Sequence, residues 1–286
     1  MRPHPDRVRR TANLSRLDPG TDWHEIYRRL VLWELPAEAR FGFQLAFYRP
    51  FAVPRMATIL HRSGHFRRDT TRRAYDTGLV MHEIIWGGVD SDRGRRMVKL
   101  MNAVHRRPGI RPEDMSYVLN ALIVVPTRFM DRHGWRKVTA GERAATWRFY
   151  DVLGERMGIA NRPTSYDDAV KQLDRFEAAH LAPSPEGADL TAAVLAAVRD
   201  RLPAPARPFG PAITSALVDD PRVSWALSLP APSPAFRQLV DVGSTARRTV
   251  EQLLPPTTRP SFWPGMPAGA IYPTGYQLHQ LGPQAH

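Results

Sequence analysis

The sequence predicts an all-α fold with one hydrophobic core, and three observations support this class. Apolar residues recur with the spacing of a helix face in many segments along the chain. The alternation of apolar and polar residues that is typical of half-buried strands is scarce, and no internal repeat is present. The chain has 286 residues of which 43% are hydrophobic, which is enough to build a sizeable core and excludes disorder of the whole chain.

The first residues are predicted to form a flexible arm. Residues 1–20 are rich in arginine and close with the turn signal Asp18-Pro19-Gly20. We expect neither a secretory signal nor an N-terminal membrane anchor here, because the segment is charged and lacks an apolar stretch. Residues 21–286 are expected to fold as a single helical domain. A cytoplasmic location is predicted, with weak association with a membrane surface left open.

Six helices are predicted in the first two thirds of the chain. They cover residues 23–35, 69–86, 91–107, 113–130, 139–157 and 166–180. Pro108-Gly109 stops the third of them. In the fourth, Asp114 can cap the start and Pro126 should kink the end. Thr139 and Glu142 have the spacing of a capping box at the start of the fifth.

The remaining segments are predicted to be shorter or irregular. Residues 41–60 are rich in aromatic and aliphatic side chains, and we expect them to line the interior in short pieces. After Leu181 the composition shifts towards alanine and proline, with helices expected at 188–201, 212–219 and 234–253. The tail from Pro255 is rich in proline, glycine and aromatic residues, and it is predicted to wrap the surface as an irregular strap.

The charge and the missing cysteines exclude several function classes. The net charge is +12, but almost all the positive charge is arginine spread along the whole chain. Without a zinc-finger spacing, an RRM aromatic motif or basic leucine-zipper heptads, we expect no nucleic-acid partner. The absence of cysteine excludes disulfides, thiolate haem ligation, iron–sulfur clusters and thiol nucleophiles.

Familiar catalytic motifs are also absent. His82-Glu83 begins like the zinc-protease motif H-E-x-x-H, but Trp86 occupies the second histidine position. His61 and His65 flank a turn signal and have no evident third ligand. No G-x-S-x-G elbow, Walker loop or G-x-G-x-x-G fingerprint occurs. Hydrolase, NTPase and nicotinamide or flavin enzyme functions are therefore not indicated.

His105 is the residue that the helical pattern selects for a functional role. Met97, Met101 and His105 recur at four-residue spacing, with Val98 and Val104 alongside, so the imidazole is predicted on an apolar helix face. This pattern has two interpretations. His105 is either a buried histidine bonded to a neighbouring helix or the axial ligand of a haem in an apolar slot. The pattern alone does not decide between them.

Four short motifs in this region and in the tail resemble a known oxygenase family. They are M-N-x-x-H at Met101 to His105, G-I-x-x-x-D-M at Gly109 to Met115, G-W-R around Trp135, and Y-P-x-G-Y-x-L-x-x-L-G at Tyr272 to Gly282. With the longer runs at residues 72–88 and 97–159, they resemble the family that contains fungal MpaB and bacterial rubber oxygenase. The resemblance extends from about residue 40 onward and implies a helical bundle with a globin-like core.

The resemblance implies a b-type haem with His105 as the proximal iron ligand. It places an R-x-x-K-T distal motif on Arg73, Asp76 and Thr77 as catalytic residues, with Asp76 replacing the lysine. A carboxylate cannot donate to bound oxygen as an amine can, but it could act as an acid or base through water if burial raises its pKa. Alternatively, Arg73 and Asp76 form a helix-surface ion pair and Thr77 is an ordinary helix residue.

Further residues are expected to complete the haem site. Met101 would contact the haem, and Arg96 and Arg106 would bind its propionates by charge-assisted hydrogen bonds. Arg95, Lys99 and Arg107 surround the same helix as additional cations. The residues expected to line an apolar substrate cavity are Phe41, Phe43, Phe47, Met56 and Met81.

The activity that the resemblance implies is oxidation of an apolar, unsaturated, isoprenoid-like small molecule by dioxygen, with haem as the only cofactor. Two other functions are left open by the residues. One is a haem carrier or sensor without turnover, and the other is a helical protein without haem that attaches to anionic membranes through its arginines.

Overall fold

The structure is a computed structural model that describes residues 2–63, 70–106, 109–199 and 204–282. Within these ranges the regular secondary structure is helical apart from one isolated bridge between Ala268 and Tyr272, so the predicted all-α class is confirmed. None of the described helices is long and apolar enough to cross a lipid bilayer. Arg107 and His65 lie outside the described residues.

The helices follow one another with short connections. The N-terminal helices are α1 (Pro5–Leu14), α2 (Trp23–Arg29), α3 (Pro36–Tyr48) and α4 (Pro54–Arg62). The central helices are α5 (Thr70–Gly87), α6 (Asp92–His105), α7 (Pro112–His133), α8 (Ala140–Arg156) and α9 (Tyr166–His180). The C-terminal helices are α10 (Pro185–Arg199), α11 (Gly210–Leu217), α12 (Pro221–Ala226) and α13 (Pro234–Leu253). The long helix α7 is central, because α3, α8 and α9 all pack against it.

The N-terminal segment is a helix rather than the flexible arm that was expected. α1 begins with Pro5 in its first turn, and its last residue, Leu14, is buried against Ile26 and Ala145. The Nε of Arg7 donates a hydrogen bond to the carbonyl of Leu254 at 2.8 Å. The expectation was wrong because the arginine that suggested a solvated arm instead binds backbone carbonyls of the C-terminal region.

The predicted bounds of several helices differ from the structure, and two of these differences involve the core. The predicted helix 23–35 is α-helical only to Arg29 and continues as a π-helical turn over Leu30–Glu34, in which Leu35 N donates to Leu30 O at 2.9 Å. The predicted helix 113–130 runs on to His133 with Pro126 inside it. Phe129, Met130 and His133 are buried beyond the proline, and their packing holds the last turn of the helix against the core.

A close helix crossing in the core joins α3 to α7. Gly42 of α3 lies directly on Pro126 of α7, and a Cβ atom added at Gly42 would lie 2.4 Å from the Cα of Pro126. Only glycine allows this approach. Pro126 has no N–H and leaves one helical hydrogen bond unmade, so this point of α7 combines a backbone irregularity with close packing.

A buried ion cluster links three distant parts of the chain. Arg49 is 1% exposed, and its guanidinium binds Glu177 at 2.5 Å and also Asp219. The hydroxyl of Tyr117 donates to Glu177 at 3.2 Å. Burial alone would lower the pKa of Arg49, but the two carboxylates raise it above its usual value, so the residue stays charged. The cluster holds the end of α3, the helix α9 and the chain before α12 together.

The tail is the irregular strap that the sequence predicts. After α13 its regular elements are the Ala268–Tyr272 bridge and a short 3₁₀ turn at Leu278–Gln280. The strap nevertheless contributes buried aromatic side chains to the core, namely Phe262, Tyr272 and Tyr276. Its path along the domain is therefore determined by packing and not by regular backbone hydrogen bonding.

Replacing Gly42 with Ala should lower the free energy of unfolding, because the added methyl group has no space against Pro126. We expect a loss of about 1–3 kcal/mol, the usual cost of overpacking a well-packed core. Urea unfolding followed by circular dichroism measures it. Gly78→Ala on α5 is the matched control, since a Cβ atom there meets nothing within 4 Å. Equal stability of the two variants would contradict the close crossing.

Candidate functional site

The helices α5 and α6 carry the residues that the sequence predicted for the site. They are joined by a short turn in which Ser91 caps α6 by accepting a hydrogen bond from Gly94 N at 2.9 Å. The two helices pack against each other. Because neighbouring helices with a short connection run antiparallel, the start of α5 and the end of α6 lie at the same end of the pair. Residues 73–77 and His105 are therefore at this common end.

His105 is exposed, in contrast to the buried position expected for it. Along α6, Met97 is buried, Met101 is half-buried and His105, the last residue of the helix, is exposed. The apolar face thus leaves the core before it reaches the imidazole. Nδ1 of His105 lies 2.7 Å from the carbonyl oxygen of Met101 in the same helix. The expected burial of His105 is therefore wrong.

The same backbone contact occurs at two other helical histidines. Nδ1 of His82 lies 2.7 Å from Gly78 O, and Nδ1 of His180 lies 2.9 Å from Phe176 O. His82 packs against the rings of Phe43 and Phe262, and burial lowers its pKa below the usual value. Hydrogen-bond geometry therefore does not distinguish His105 from these two residues.

A cavity of about 440 Å³ with a cationic rim opens on one face of α6, and His105 is not among the residues that line it. It is lined by Val89, Arg95, Val98, Lys99, Asn102, Ala103, Arg106 and Arg156. Arg106 lies on the rim of this cavity, whereas Arg96 is exposed and is not among the lining residues. Arg95 and Arg156 on this rim already pair with Asp92 and Asp90, whereas no ion pair of Lys99 or Arg106 is found among the described residues. Such a rim suits the carboxylates of a bound molecule.

The predicted catalytic residues on α5 lie in different environments. Asp76 is 2% exposed, and its carboxylate accepts hydrogen bonds from Tyr272 Oη at 2.7 Å and from Gly282 N at 3.1 Å. Burial raises the pKa of Asp76, and these two hydrogen bonds offset only part of the shift. Thr77 is exposed and donates its hydroxyl to Arg73 O at 2.8 Å. Asp76 is therefore buried rather than on the helix surface, and its carboxylate also pairs with Arg72 at 3.9 Å.

A second carboxylate of α5 was missed by the sequence reasoning. Glu83 is fully buried, and Arg93 donates two hydrogen bonds to it at 2.6 and 2.7 Å. Tyr276 Oη donates to the same carboxylate at 2.5 Å. Two turns apart on α5, Asp76 and Glu83 thus each bind one tyrosine of the strap. We call these four residues, Asp76, Glu83, Tyr272 and Tyr276, the tyrosine clasp.

Comparison with known proteins identifies the family of the chain. The family model described as ER-bound oxygenase mpaB/B′/rubber oxygenase, catalytic domain, matches residues 31–253. The chain belongs to this oxygenase family. The ER-bound oxygenase mpaB′ of Penicillium brevicompactum is 23% identical over 325 residues, covering 91% of this chain and 77% of that protein. The ER-bound oxygenase mpaB of the same organism is 25% identical over 263 residues, covering 83% and 67%.

A solved structure supports the fold of this oxygenase. The closed state of latex clearing protein has a TM-score of 0.56 and 18% sequence identity, and the match covers 90% of this chain and 76% of that one. At this identity the similarity concerns the fold alone. By family, the chain is an oxidoreductase.

The residues at the common end of α5 and α6 fit a haem group in part. The contact with Met101 uses Nδ1 of His105, so iron would be bound through Nε2. A backbone carbonyl is a usual hydrogen-bond partner for the other ring nitrogen of a metal-binding histidine. Lys99 and Arg106 on the cavity rim fit propionates. Asp76 fits a distal role poorly, because each of its oxygens already accepts a hydrogen bond from the strap.

The strap forms a wall of this region in the oxygenase. A Cβ atom on Gly282 would lie 2.9 Å from Leu100 of α6, and Gly282 N binds Asp76 of α5. The end of the strap therefore contacts both helices. Gly269 has a φ of +58° and lies against the Tyr75 hydroxyl, where a Cβ atom would be 2.3 Å away. Gly282 also has a positive φ, +91°, so a larger residue at either glycine would strain the backbone of the strap and push aside the end of Leu100 or Tyr75.

The predicted cavity-lining residues are divided between core and surface. Met56 and Met81 are buried in the main core, and Phe43 and Phe47 are half-buried against it. Phe41 is 48% exposed and stacks on Phe129, so its predicted place in an interior cavity is wrong. It occupies the outer face of α3 because Gly42, the next residue, faces α7.

Replacing Tyr276 with Phe should destabilise the enzyme by removing a hydrogen bond to a buried carboxylate. The expected loss is about 1.5–3 kcal/mol in the free energy of unfolding, with faster proteolysis of the strap. Urea unfolding and limited proteolysis measure both effects. Trp263→Phe is the control, since Trp263 lies in the same strap but is 45% exposed. A Tyr276→Phe protein as stable and as protease-resistant as the control would refute the clasp.

Proposed function

We propose that the protein is a haem b-dependent oxygenase in which His105 is the proximal iron ligand. The observation that carries the proposal is the position of the M-N-x-x-H motif at the end of α6, which leaves the imidazole of His105 exposed and accessible to a ligand. When bound, the haem would supply the activation of dioxygen. Family membership supports an oxygenase reaction, and the identity of the cofactor is our inference from the residues.

The residues of α6 would hold and orient the group. The contact from Nδ1 to Met101 O fixes the orientation of the imidazole and makes its other nitrogen the ligand atom. Met101, which is half-buried one turn earlier, would supply an apolar contact on the same side of the helix. Arg106, with Arg96 on the neighbouring exposed surface, would bind the propionates.

The residues of α5 would act on the distal side. Arg73 is half-buried and Thr77 is exposed, so a cation and a hydroxyl lie within one turn at the common end of α5 and α6. The Arg73 guanidinium would donate hydrogen bonds to a bound reactant, and the Thr77 hydroxyl would do so only after leaving the carbonyl oxygen of Arg73 that it binds at 2.8 Å. Asp76 enters the proposal as a positioning residue, because it holds the strap that borders the site.

The substrate in this proposal is an apolar, unsaturated small molecule of isoprenoid type, oxidised with dioxygen. The family description names a rubber oxygenase, and the half-buried rings of Phe43 and Phe47 offer apolar contacts on α3. A cytoplasmic location stays a prediction from the N-terminal sequence.

Replacing His105 with Ala should abolish haem retention while the fold persists, because alanine is a good helix former and the side chain is exposed. Haem per chain and the Soret band measure the effect, and circular dichroism checks the fold. His180→Ala is a matched control, since His180 is also exposed, ends its helix and has Nδ1 on a carbonyl of its own helix.

Two results would contradict the proposal. A folded His105→Ala protein with wild-type haem content would show that the histidine is not the ligand. The second result compares the rate of dioxygen consumption by haem-loaded wild type with an isoprenoid alkene and with the saturated analogue. Equal rates would indicate a haem carrier or sensor instead of an oxygenase.

A further inference from the structure

The C-terminal helix α13 turns its apolar side chains towards solvent. Leu239 is 66% exposed, Val242 59%, Val250 56% and Leu253 43%. None of the residues of this helix is buried. An amphipathic helix on a globular domain normally buries its apolar face against the core. The orientation of α13 is thus opposite to the usual one.

Polar side chains attach this helix to the domain. Arg247 donates to His133 O at 3.1 Å and also binds Glu38 of α3. Asp241 pairs with Arg132 of α7 at 3.6 Å. These contacts fix the rotation of α13 about its own axis, so its apolar face is held outward by the fold. An exposed apolar face of this length indicates a partner.

The spacing on this face is that of a helix that packs on another helix. Phe236, Leu239, Gly243, Ala246, Val250 and Leu253 are separated alternately by three and four residues. A sustained repeat of this kind is the seam of a two-helix coiled coil. We call these six residues the α13 seam.

The α13 seam is symmetric about its own centre. Running the helix against an antiparallel copy centred between Ser244 and Thr245 places Phe236 opposite Leu253, Leu239 opposite Val250 and Gly243 opposite Ala246. Large residues meet at the two ends and small ones meet in the middle. A two-fold symmetric interface requires such self-complementarity, because the same surface serves both partners.

We propose that the partner is a second copy of this chain, joined to the first by antiparallel pairing of the two α13 seams. The centre has space for close approach, because a Cβ atom added at Gly243 meets nothing within 4 Å in one copy. The seam contains no charged residue, so no like charges face each other within it. Phe209 packs on Phe236 and is 52% exposed, which extends the apolar surface at one end.

The size of the seam sets the strength of the dimer. A helix of 20 residues is about 30 Å long, and two such helices pack with axes roughly 8–10 Å apart. This contact lies near the lower limit of specific interfaces, about 1,200 Å² in total. Each copy also carries a net charge of +12. The dimer therefore dissociates in the micromolar range, and added salt strengthens it by screening the repulsion.

Sedimentation equilibrium of the full chain across the micromolar range tests the pairing. Wild type should approach twice the 32.3 kDa of one chain as concentration rises. Leu239→Glu and Gly243→Leu should each weaken the dimer by about tenfold or more, since each change disrupts the seam and neither side chain contacts the core. Gln238→Glu adds the same charge outside the seam, and its dimer should match wild type.

The orientation is tested with single cysteines, because the chain has none of its own. A mixture of Leu239→Cys and Val250→Cys proteins should form a disulfide between the two variants under mild oxidation. Neither variant alone should do so, because identical residues in an antiparallel pair are about 16 Å apart along the axis, at 1.5 Å per residue.

The proposal fails if wild type stays monomeric, if Leu239→Glu and Gly243→Leu leave the dimer unchanged, or if Leu239→Cys cross-links to itself. It also fails if wild type is monomeric and binds vesicles of anionic phospholipid, provided that Leu239→Glu abolishes this binding and added salt weakens it. That result would assign the face to a membrane surface.

Discussion

Two buried carboxylates on α5 determine how the C-terminal strap lies on the domain, and the architecture of the candidate site depends on them. A buried carboxylate is costly unless its oxygens accept hydrogen bonds. Asp76 and Glu83 meet this requirement through Tyr272, Tyr276, Gly282 and Arg93. The strap lacks regular backbone structure over most of its length, so these side-chain contacts fix its position. They also close one side of the space next to α5 and α6.

In the rest of the domain, the residues that stabilise the core and the residues of the candidate site lie on different helices. The α3–α7 crossing at Gly42 and Pro126 and the buried Arg49 cluster lie on the helices that do not carry the candidate site. The residues suited to a cofactor are exposed or half-buried at one end of α5 and α6. The rigid core can therefore position these two helices while their common end stays accessible to a ligand.

The helix bounds predicted most accurately from the sequence are those that depend on local signals, such as a capping side chain. The bounds of α9 and α13 match the prediction, because Ser165 and Ser233 cap their starts through their own side chains. The helix α1 was missed because its stability comes from a contact of Arg7 with a residue at the far end of the chain. Helix periodicity likewise placed His105 on an apolar face of α6. It could not show that this face emerges from the core one turn before His105.

The role of Asp76 depends on a tyrosine nearly two hundred residues away, and no local pattern encodes that pairing. The Y-x-x-x-Y spacing of the strap and the two acidic residues two turns apart on α5 were the available signals.

The central claim is that this member of the oxygenase family binds haem b through its own histidine, and the absorption spectrum of the purified full chain tests it most directly. After expression with a haem supply, we predict a Soret band, a b-type pyridine haemochrome spectrum and one iron per chain. A folded protein that stays colourless, and that still binds no haem when titrated with haemin, would contradict the account.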